Sequence, residues 1–382
     1  MSEQRDPGLY SPLRRVGIIG CGVMGGSFAL AASRVAGVER VLVTDRDPAV
    51  RAEAERFDLG EVLPEATSVA SAVDLVVLAV PVAQIPLVAR EVLPHMPPDA
   101  VLTDMGSVKA EPVREVEGVF ESFGIDRDTG PFFIGGHPMA GSEREGPAAA
   151  DPTLFQGATY VLTPTSRSSA TALRRLGGLL RAVGARVLTV DPEAHDRLVA
   201  VISHLPQVVA TTLMQHAASL AQTQPALLEM AGRGFRDATR IAGSNPELWM
   251  GILRQNRTAT LEALDGFLTA LARVRGAIEA GDWEQVGAAL VGGREARALL
   301  GTKAAEEVMV DVVTLLEDRP GSLAAVTTAL GNAAVNIEDV TLRHAPAGGR
   351  GALVITVAGE EAAERARAAL RARGFSARLE RG

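Results

Sequence analysis

The run Val16-Gly-Ile-Ile-Gly-Cys-Gly-Val-Met-Gly-Gly-Ser27 sets Gly20, Gly22 and Gly25 at G-x-G-x-x-G spacing between a short apolar segment and a helix-compatible one. That order predicts a strand, a tight turn and a helix. The first glycine permits the turn, the second lets backbone approach a diphosphate, and the third lets helix and strand sit close together. Val23 and Met24 open the helix, whose first N–H groups have no acceptor of their own and suit an anionic ligand. Glycine spacing alone is a weak signal, so the next strand matters. Arg40-Val-Leu-Val-Thr-Asp45 ends on an acid twenty residues past Gly25, where a carboxylate accepts hydrogen bonds from an adenosine ribose. Asp45 repels a ribose phosphate and so favours NAD over NADP. Its neighbour Arg46 works the other way, as a guanidinium able to meet such a phosphate or stack on adenine.

A second group of residues carries reactive side chains. His137 follows two glycines and precedes Pro138, a setting that argues against a place on an amphipathic helix and for a polar loop. Beside a nicotinamide its imidazole would take a proton from a substrate hydroxyl while hydride leaves the same carbon. A loop histidine that only hydrogen-bonds is the alternative. Ser107, after a strand ending at Asp104, can orient the same oxygen or His137, and Lys109 can meet an anion; helix capping and surface charge are the plainer roles for both. Glu143 either anchors a cation or caps a helix.

Farther along, His195 reads as a second polar group of a pocket, while His204 and Gln207, three residues apart, fall on neighbouring faces of one helix. His204 stays open between ligand contact and packed core histidine. Arg240, in Gly234-Phe-Arg-Asp-Ala-Thr-Arg240, suits bidentate recognition of a carboxylate, with Asp237 placed to orient it or Arg236; a surface salt bridge is the alternative. The chain has no H-E-x-x-H or comparable cluster, so no metal is expected, and hydride transfer to nicotinamide needs none.

These residues need elements to position them. Apolar runs at 74–80, 100–104, 132–134, 158–163 and 186–190 read as further strands, with helices at 48–57, 85–93 and 169–183 between them. The alternation describes an α/β fold, a Rossmann-type dinucleotide-binding domain over residues 14–190, whose ligand groups belong at strand ends on the edge that carries the glycine loop. From Pro192 the composition turns almost wholly helix-compatible. An all-helical domain over 191–307 follows, suited to holding substrate and to pairing with a second copy as a homodimer or higher oligomer. Over 308–382 the order is strand, helix, hairpin, helix, edge strand, a small ferredoxin-like domain. Lacking a reactive cluster, that last unit reads as ligand sensing or assembly.

Composition removes several classes of function. A formal charge of −8 argues against nucleic acid as the main partner. The single cysteine, Cys21, sits inside the glycine turn, which leaves no disulfide framework and no cysteine metal cluster. The polar, proline-broken first residues lack the apolar core of a secretory signal, and no later stretch is expected to cross a membrane; the cytoplasm is the expected compartment.

Taken together, Gly20-Cys-Gly-Val-Met-Gly-Gly-Ser27, Asp104-Met-Gly-Ser-Val-Lys109 and Gly135-Gly-His-Pro-Met-Ala-Gly-Ser-Glu143 closely resemble the prephenate dehydrogenase family, which includes arogenate and cyclohexadienyl dehydrogenases. The resemblance continues through His195-Asp196, Ser203-His-Leu-Pro206 and Phe235-Arg-Asp-Ala-Thr-Arg-Ile241. It implies NAD-dependent oxidative decarboxylation of prephenate to 4-hydroxyphenylpyruvate on the route to tyrosine. It also implies that His137 engages the ring hydroxyl, aided by Ser107, and that Arg240 binds a substrate carboxylate. Where many family members carry histidine, this chain has Gln207, which hydrogen-bonds but cannot become cationic. Prephenate ends its side chain in a keto acid and arogenate in an amino acid, and the resemblance does not choose between them. The tail, with Asp318-Arg-Pro-Gly-Ser-Leu323 and Val335-Asn-Ile-Glu-Asp339, resembles an ACT domain. There Pro320, Gly321, the helix start at Ser322 and the side chain of Asn336 are the expected contacts of an amino-acid effector, with tyrosine as the candidate.

Overall fold

The computed structural model describes residues 13–125, 130–141, 144–301, 309–316, 322–337, 339–343 and 351–381. The chain divides into two compact units, Met1–Ala270 and Leu271–Gly382.

The first unit is built on eight strands: β1 (Arg15–Ile19), β2 (Arg40–Thr44), β3 (Glu61–Val62), β4 (Leu75–Leu78), β5 (Val101–Asp104), β6 (Phe132–Pro138), β7 (Thr159–Thr163) and β8 (Arg186–Thr189). Their order is β3-β2-β1-β4-β5-β6-β7-β8. Every neighbouring pair is parallel except β6 and β7, which run antiparallel. The central strands are apolar without interruption because both faces of the sheet are covered. Val16, Ile18, Leu75 and Val77 pack on one side with Phe28, Leu176 and Leu180 of the helices Val23–Ala32 and Ala170–Ala182. Leu42, Val76, Leu78 and Leu102 point to the other side, against the helices Ile85–Val92 and Ala110–Ser122. Strand β3 was not expected, because its two residues carry too little pattern to register in the sequence.

Beyond β8 the chain is helical. Pro192–Val199 passes through a π turn, Ala200–His204, into Leu205–Ala221. Ser203-His-Leu-Pro206 explains the widened turn. Pro206 has no N–H to give the preceding turn and its ring crowds the carbonyl four residues back, so the helix relaxes there, with Leu205 N–H bonding to Ala200 O. One expectation needs correcting: the continuous helix Pro192–Ala221 contains an 18-residue stretch with a mean hydropathy of 1.3, long and apolar enough by composition to cross a bilayer. Its buried side carries His195, Asp196, His204 and Gln207, however, and its exposed side carries Leu198, Val201, Ile202, Leu213 and Leu220. A helix that buries two histidines, an acid and an amide is organised around a polar site.

In the second unit, the helix Trp283–Gly301 precedes a four-stranded sheet of β9 (Met309–Leu316), β10 (Asp339–Arg343), β11 (Gly351–Ala358) and β12 (Ala377–Arg381). The order β10-β11-β9-β12 is antiparallel throughout. Helices Ser322–Asn332 and Glu360–Ala372 cover it, with Val312, Val326, Leu330, Leu353, Ile355 and Leu370 in the core. This is the ferredoxin-like arrangement expected from the βαββαβ order.

Candidate active site

The glycine loop has the shape its spacing predicts. Gly20 adopts φ 102°, and a Cβ there would lie 2.3 Å from Ala79 O. A Cβ on Gly25 would lie 1.9 Å from Gly20 O, so helix and loop touch through bare backbone. Around Gly22, the residue capping the helix Val23–Ala32, no atom of the described residues stands within 4 Å of the missing Cβ. That open face fronts the first N–H groups of the helix, including those of Val23 and Met24. The buried Cys21 thiol bonds to Thr44 O at 3.3 Å and is pushed up to about 12 by burial, which makes it a packing group.

Beside the loop lies a cleft of about 500 Å³ whose lining includes Gly20, Asp45, Arg46, Arg51, Val80 and Gln84. It sits outside the carboxyl ends of β1, β2 and β4, where the strand order reverses direction, the place where open α/β sheets take nucleotides. Asp45 also has a structural task. Its carboxylate accepts Cys21 N–H at 2.9 Å and Asp47 N–H at 3.0 Å, tying the glycine loop to the end of β2. Arg51, which sequence reasoning passed over, donates to Asp45 O at 2.6 Å and adds a cation beside Arg46. A tight turn, an open backbone face, a helix N-terminus and a cleft with an acid at its rim together fit a dinucleotide.

His137 lies on the same edge of the sheet, near the end of β6, directly opposite Val161 of β7. It was expected on a loop. The strand can continue through it because Gly135 and Gly136 leave room for close neighbours, Thr163 Oγ1 at 2.4 Å and Asp104 O at 2.7 Å from the missing Cβ atoms. His137 Nδ1 is 2.8 Å from His195 Nε2, and His195 Nδ1 is 2.8 Å from Asp196 Oδ1. Burial holds His137 well below the ordinary histidine range, reinforced by His195, Lys109 and His204. Near neutrality it is therefore an uncharged base.

Lys109 is fully buried, so the surface-charge reading is wrong. Its ammonium pairs with Asp104 and donates to Gly136 O at 2.8 Å, the residue before His137. Burial lowers the Lys109 pKa while Asp104 and Asp196 oppose the shift. Ser107 is half-buried in the turn between β5 and the helix Ala110–Ser122, beside the strand that carries His137.

His204 is also buried, and its Nδ1 is 3.2 Å from Asn256 Nδ2 and 3.4 Å from Thr260 Oγ1. The same Asn256 amide donates to Asp196 O at 2.8 Å, which links His204 to the His195–Asp196 segment. Burial pulls the His204 pKa down to about 4. Of the two readings left open, the packed, hydrogen-bonded histidine is the one its Nδ1 contacts describe. Gln207 is buried too. Its Nε2 reaches Thr211 Oγ1 at 3.4 Å, while Oε1 has no partner among the described residues.

Comparison with known proteins agrees with this geometry. Residues 28–189 match the prephenate dehydrogenase nucleotide-binding domain, 191–291 the prephenate dehydrogenase dimerization domain, and 310–375 the ACT domain. Prephenate dehydrogenase of Bacillus subtilis is 31% identical over 365 residues, 93% of this chain and 95% of that one. The chain belongs to the prephenate dehydrogenase family. Cyclohexadienyl dehydrogenase of Zymomonas mobilis is 31% identical over 271 residues, covering 70% of this chain and 90% of its own. Among solved structures, prephenate dehydrogenase from A. aeolicus, in complex with hydroxyphenyl propionate and NAD+, aligns with TM-score 0.69 at 29% identity, over 76% of this chain and 99% of that one. Synechocystis arogenate dehydrogenase aligns with TM-score 0.64 at 28% identity, over 75% and 99%.

As a member of this dehydrogenase family the chain brings only part of the expected site together. His137, His195 and, through Asn256, His204 form one connected cluster. Arg240 stands exposed where the helix Arg233–Thr239 gives way to a 3₁₀ turn. Glu143, Pro320 and Gly321 lie outside the described residues. Ser322 begins its helix, and Asn336 is exposed just after Val335. Asp196, quoted only within the matched pair His195-Asp196, and Asn256 were assigned no role, although an acid directly after a histidine was a signal for the first. Among the described residues no group of three or more His, Cys, Asp or Glu is placed to hold a metal. The exposed apolar side of Pro192–Ala221 belongs to the segment matched by the dimerization domain.

Proposed function

We propose that this protein is an NAD-dependent prephenate dehydrogenase that converts prephenate to 4-hydroxyphenylpyruvate with release of CO2. The observation that carries the reading is the uncharged, half-buried His137 at the edge of the sheet that also holds the nucleotide cleft. NAD, when bound, supplies the hydride acceptor; Gly20, Gly22, Gly25 and the start of the helix Val23–Ala32 would hold its diphosphate, and Asp45 its ribose. His137 takes the proton of the ring hydroxyl as that carbon is oxidised, with Ser107 near the same oxygen. Loss of the ring carboxylate then leaves an aromatic phenol. Arg240 is assigned a substrate carboxylate.

Arogenate is the second reading, and one observation favours it. The Oε1 of buried Gln207, without a partner among the described residues, is an acceptor, which suits the ammonium of an amino acid better than a keto oxygen. Tyrosine, as effector, is assigned to the unit built on β9 to β12. The deciding experiment supplies the purified protein with prephenate or arogenate and NAD or NADP, following reduced cofactor and CO2 together. His137→Asn should lower kcat by at least about 100-fold, and Arg240→Gln should mainly raise KM. Cofactor reduction with neither substrate would refute the assignment, and near-normal kcat in His137→Asn would refute the role of His137.

A further inference from the structure

We propose that His195 and Asp196 are positioning residues that fix the tautomer of His137 and share the charge it acquires, an inference that rests on His137 acting on a substrate hydroxyl. Asp196 Oδ1 accepts Lys109 N–H at 2.8 Å, and its Oδ2 accepts Ala110 N–H at 2.8 Å. These N–H groups open the helix Ala110–Ser122, so the carboxylate sits at the positive end of a 13-residue helix. With both oxygens serving as acceptors, Asp196 can only accept from His195, and Nδ1 of His195 carries the hydrogen. In neutral His195 the other nitrogen, Nε2, is then a lone pair. It lies 2.8 Å from His137 Nδ1, and two lone pairs do not face each other at that distance. His137 Nδ1 therefore donates, and His137 Nε2 is left bare as the ring nitrogen open to substrate.

The same elements hold the base in place. Lys109 gives its backbone N–H to Asp196 and its ammonium to Gly136 O, while Gly136 N–H donates to Asp104 Oδ1 at 3.1 Å. The backbone just before His137 and the carboxylate at the far end of the relay are thus tied to one residue. When Nε2 takes the hydroxyl proton, the hydrogen on Nδ1 can pass to His195 Nε2. One proton enters His137 and one leaves it, so the net change is a single proton taken from substrate. The cation then lies on His195, 2.8 Å from the carboxylate of Asp196.

Nitrogen-15 spectra of the full-length protein, labelled at its six histidines and assigned by single replacements, read both ring nitrogens without substrate. His137 should show a protonated Nδ1 and a bare Nε2 at pH 7. His195→Leu should abolish that preference and lower kcat about 100-fold, with KM changed less than about 3-fold. His195→Gln, whose amide oxygen can accept from Nδ1, should restore part of both, which a merely structural role would not produce. Asp196→Asn should shift the His195 signal first, and if that variant fails to fold the other spectra still decide. A hydrogen on His137 Nε2, a doubly protonated His195, or a normal kcat in His195→Leu would overturn the proposal. Should the unchanged protein oxidise neither prephenate nor arogenate, the substrate reading fails while the spectra still settle the tautomer.

Discussion

Replacing Gly25 and Gly22 in turn by alanine should separate packing from cofactor binding inside one loop. A methyl on Gly25 would lie 1.9 Å from Gly20 O and 3.0 Å from Ala79 Cβ, and the first of these is backbone that no rotamer change can move. The helix Val23–Ala32 would have to withdraw by roughly 1.5 Å, the gap between 1.9 Å and the 3.4 Å at which ordinary contact begins. Overpacking of this kind costs about 1–3 kcal/mol. In a folded unit of this size 1 kcal/mol moves Tm by about 2–4 °C, so Gly25→Ala should lower the Tm of the apoprotein by about 2–12 °C. The withdrawal also displaces the N–H groups that face the diphosphate, and the loss of about 1.4 kcal/mol there would raise the Kd for NAD tenfold. Gly22 differs, with φ −67° and nothing among the described residues within 4 Å of a new Cβ. Gly22→Ala should leave the apoprotein within about 1 kcal/mol of the parent, since its φ is one alanine adopts readily, while still weakening NAD. Scanning calorimetry without cofactor and isothermal titration with NAD provide the two readings. An unchanged Tm for Gly25→Ala would refute the packing argument, and unchanged NAD affinity for Gly22→Ala would remove the diphosphate from that open face.

Three further outcomes follow from the buried polar groups and the rim of the cleft. His204 has a folded pKa of about 4 against an ordinary 6.5, so below pH 6.5 the unfolded chain takes up a proton that the folded chain refuses. Stability should therefore fall by about 3 kcal/mol between pH 6.5 and 4 on this account, and the urea midpoint of His204→Gln should be less acid-sensitive; equal sensitivity would show that His204 is not the group responsible. Lys109→Met strands Asp104 in the interior and should destabilise by about 3–5 kcal/mol, with part of the loss recovered by adding Asp104→Asn. Asp45→Ser should narrow the ratio of kcat/KM for NAD over NADP and also loosen the loop at Cys21 N–H; a parent enzyme that prefers NADP would transfer control to Arg46 and Arg51.

What could be read from the sequence depended on the physical reach of each signal. Leu75 to Leu78 identify a buried parallel strand because burial on both faces demands an unbroken apolar run. Gly20 identifies a turn because its φ of 102° is one other residues resist. Such constraints are local and leave their mark on residue type. The place of Lys109 leaves no such mark, because its burial depends on Asp104 five residues before it and Gly136 twenty-seven after it. The apolar exterior of Pro192–Ala221 is ambiguous for a related reason: hydropathy is the same toward lipid, a core or a second subunit, and only the polar residues on the inner side separate the cases. Asp196 combines both situations. Its adjacency to His195 is visible in the chain, but the direction of the hydrogen bond between them follows from two backbone N–H groups 86 and 87 residues away. The residue type therefore proposes His137 as a base, while on this assignment the nitrogen on which it acts is chosen by the N-terminus of the helix Ala110–Ser122.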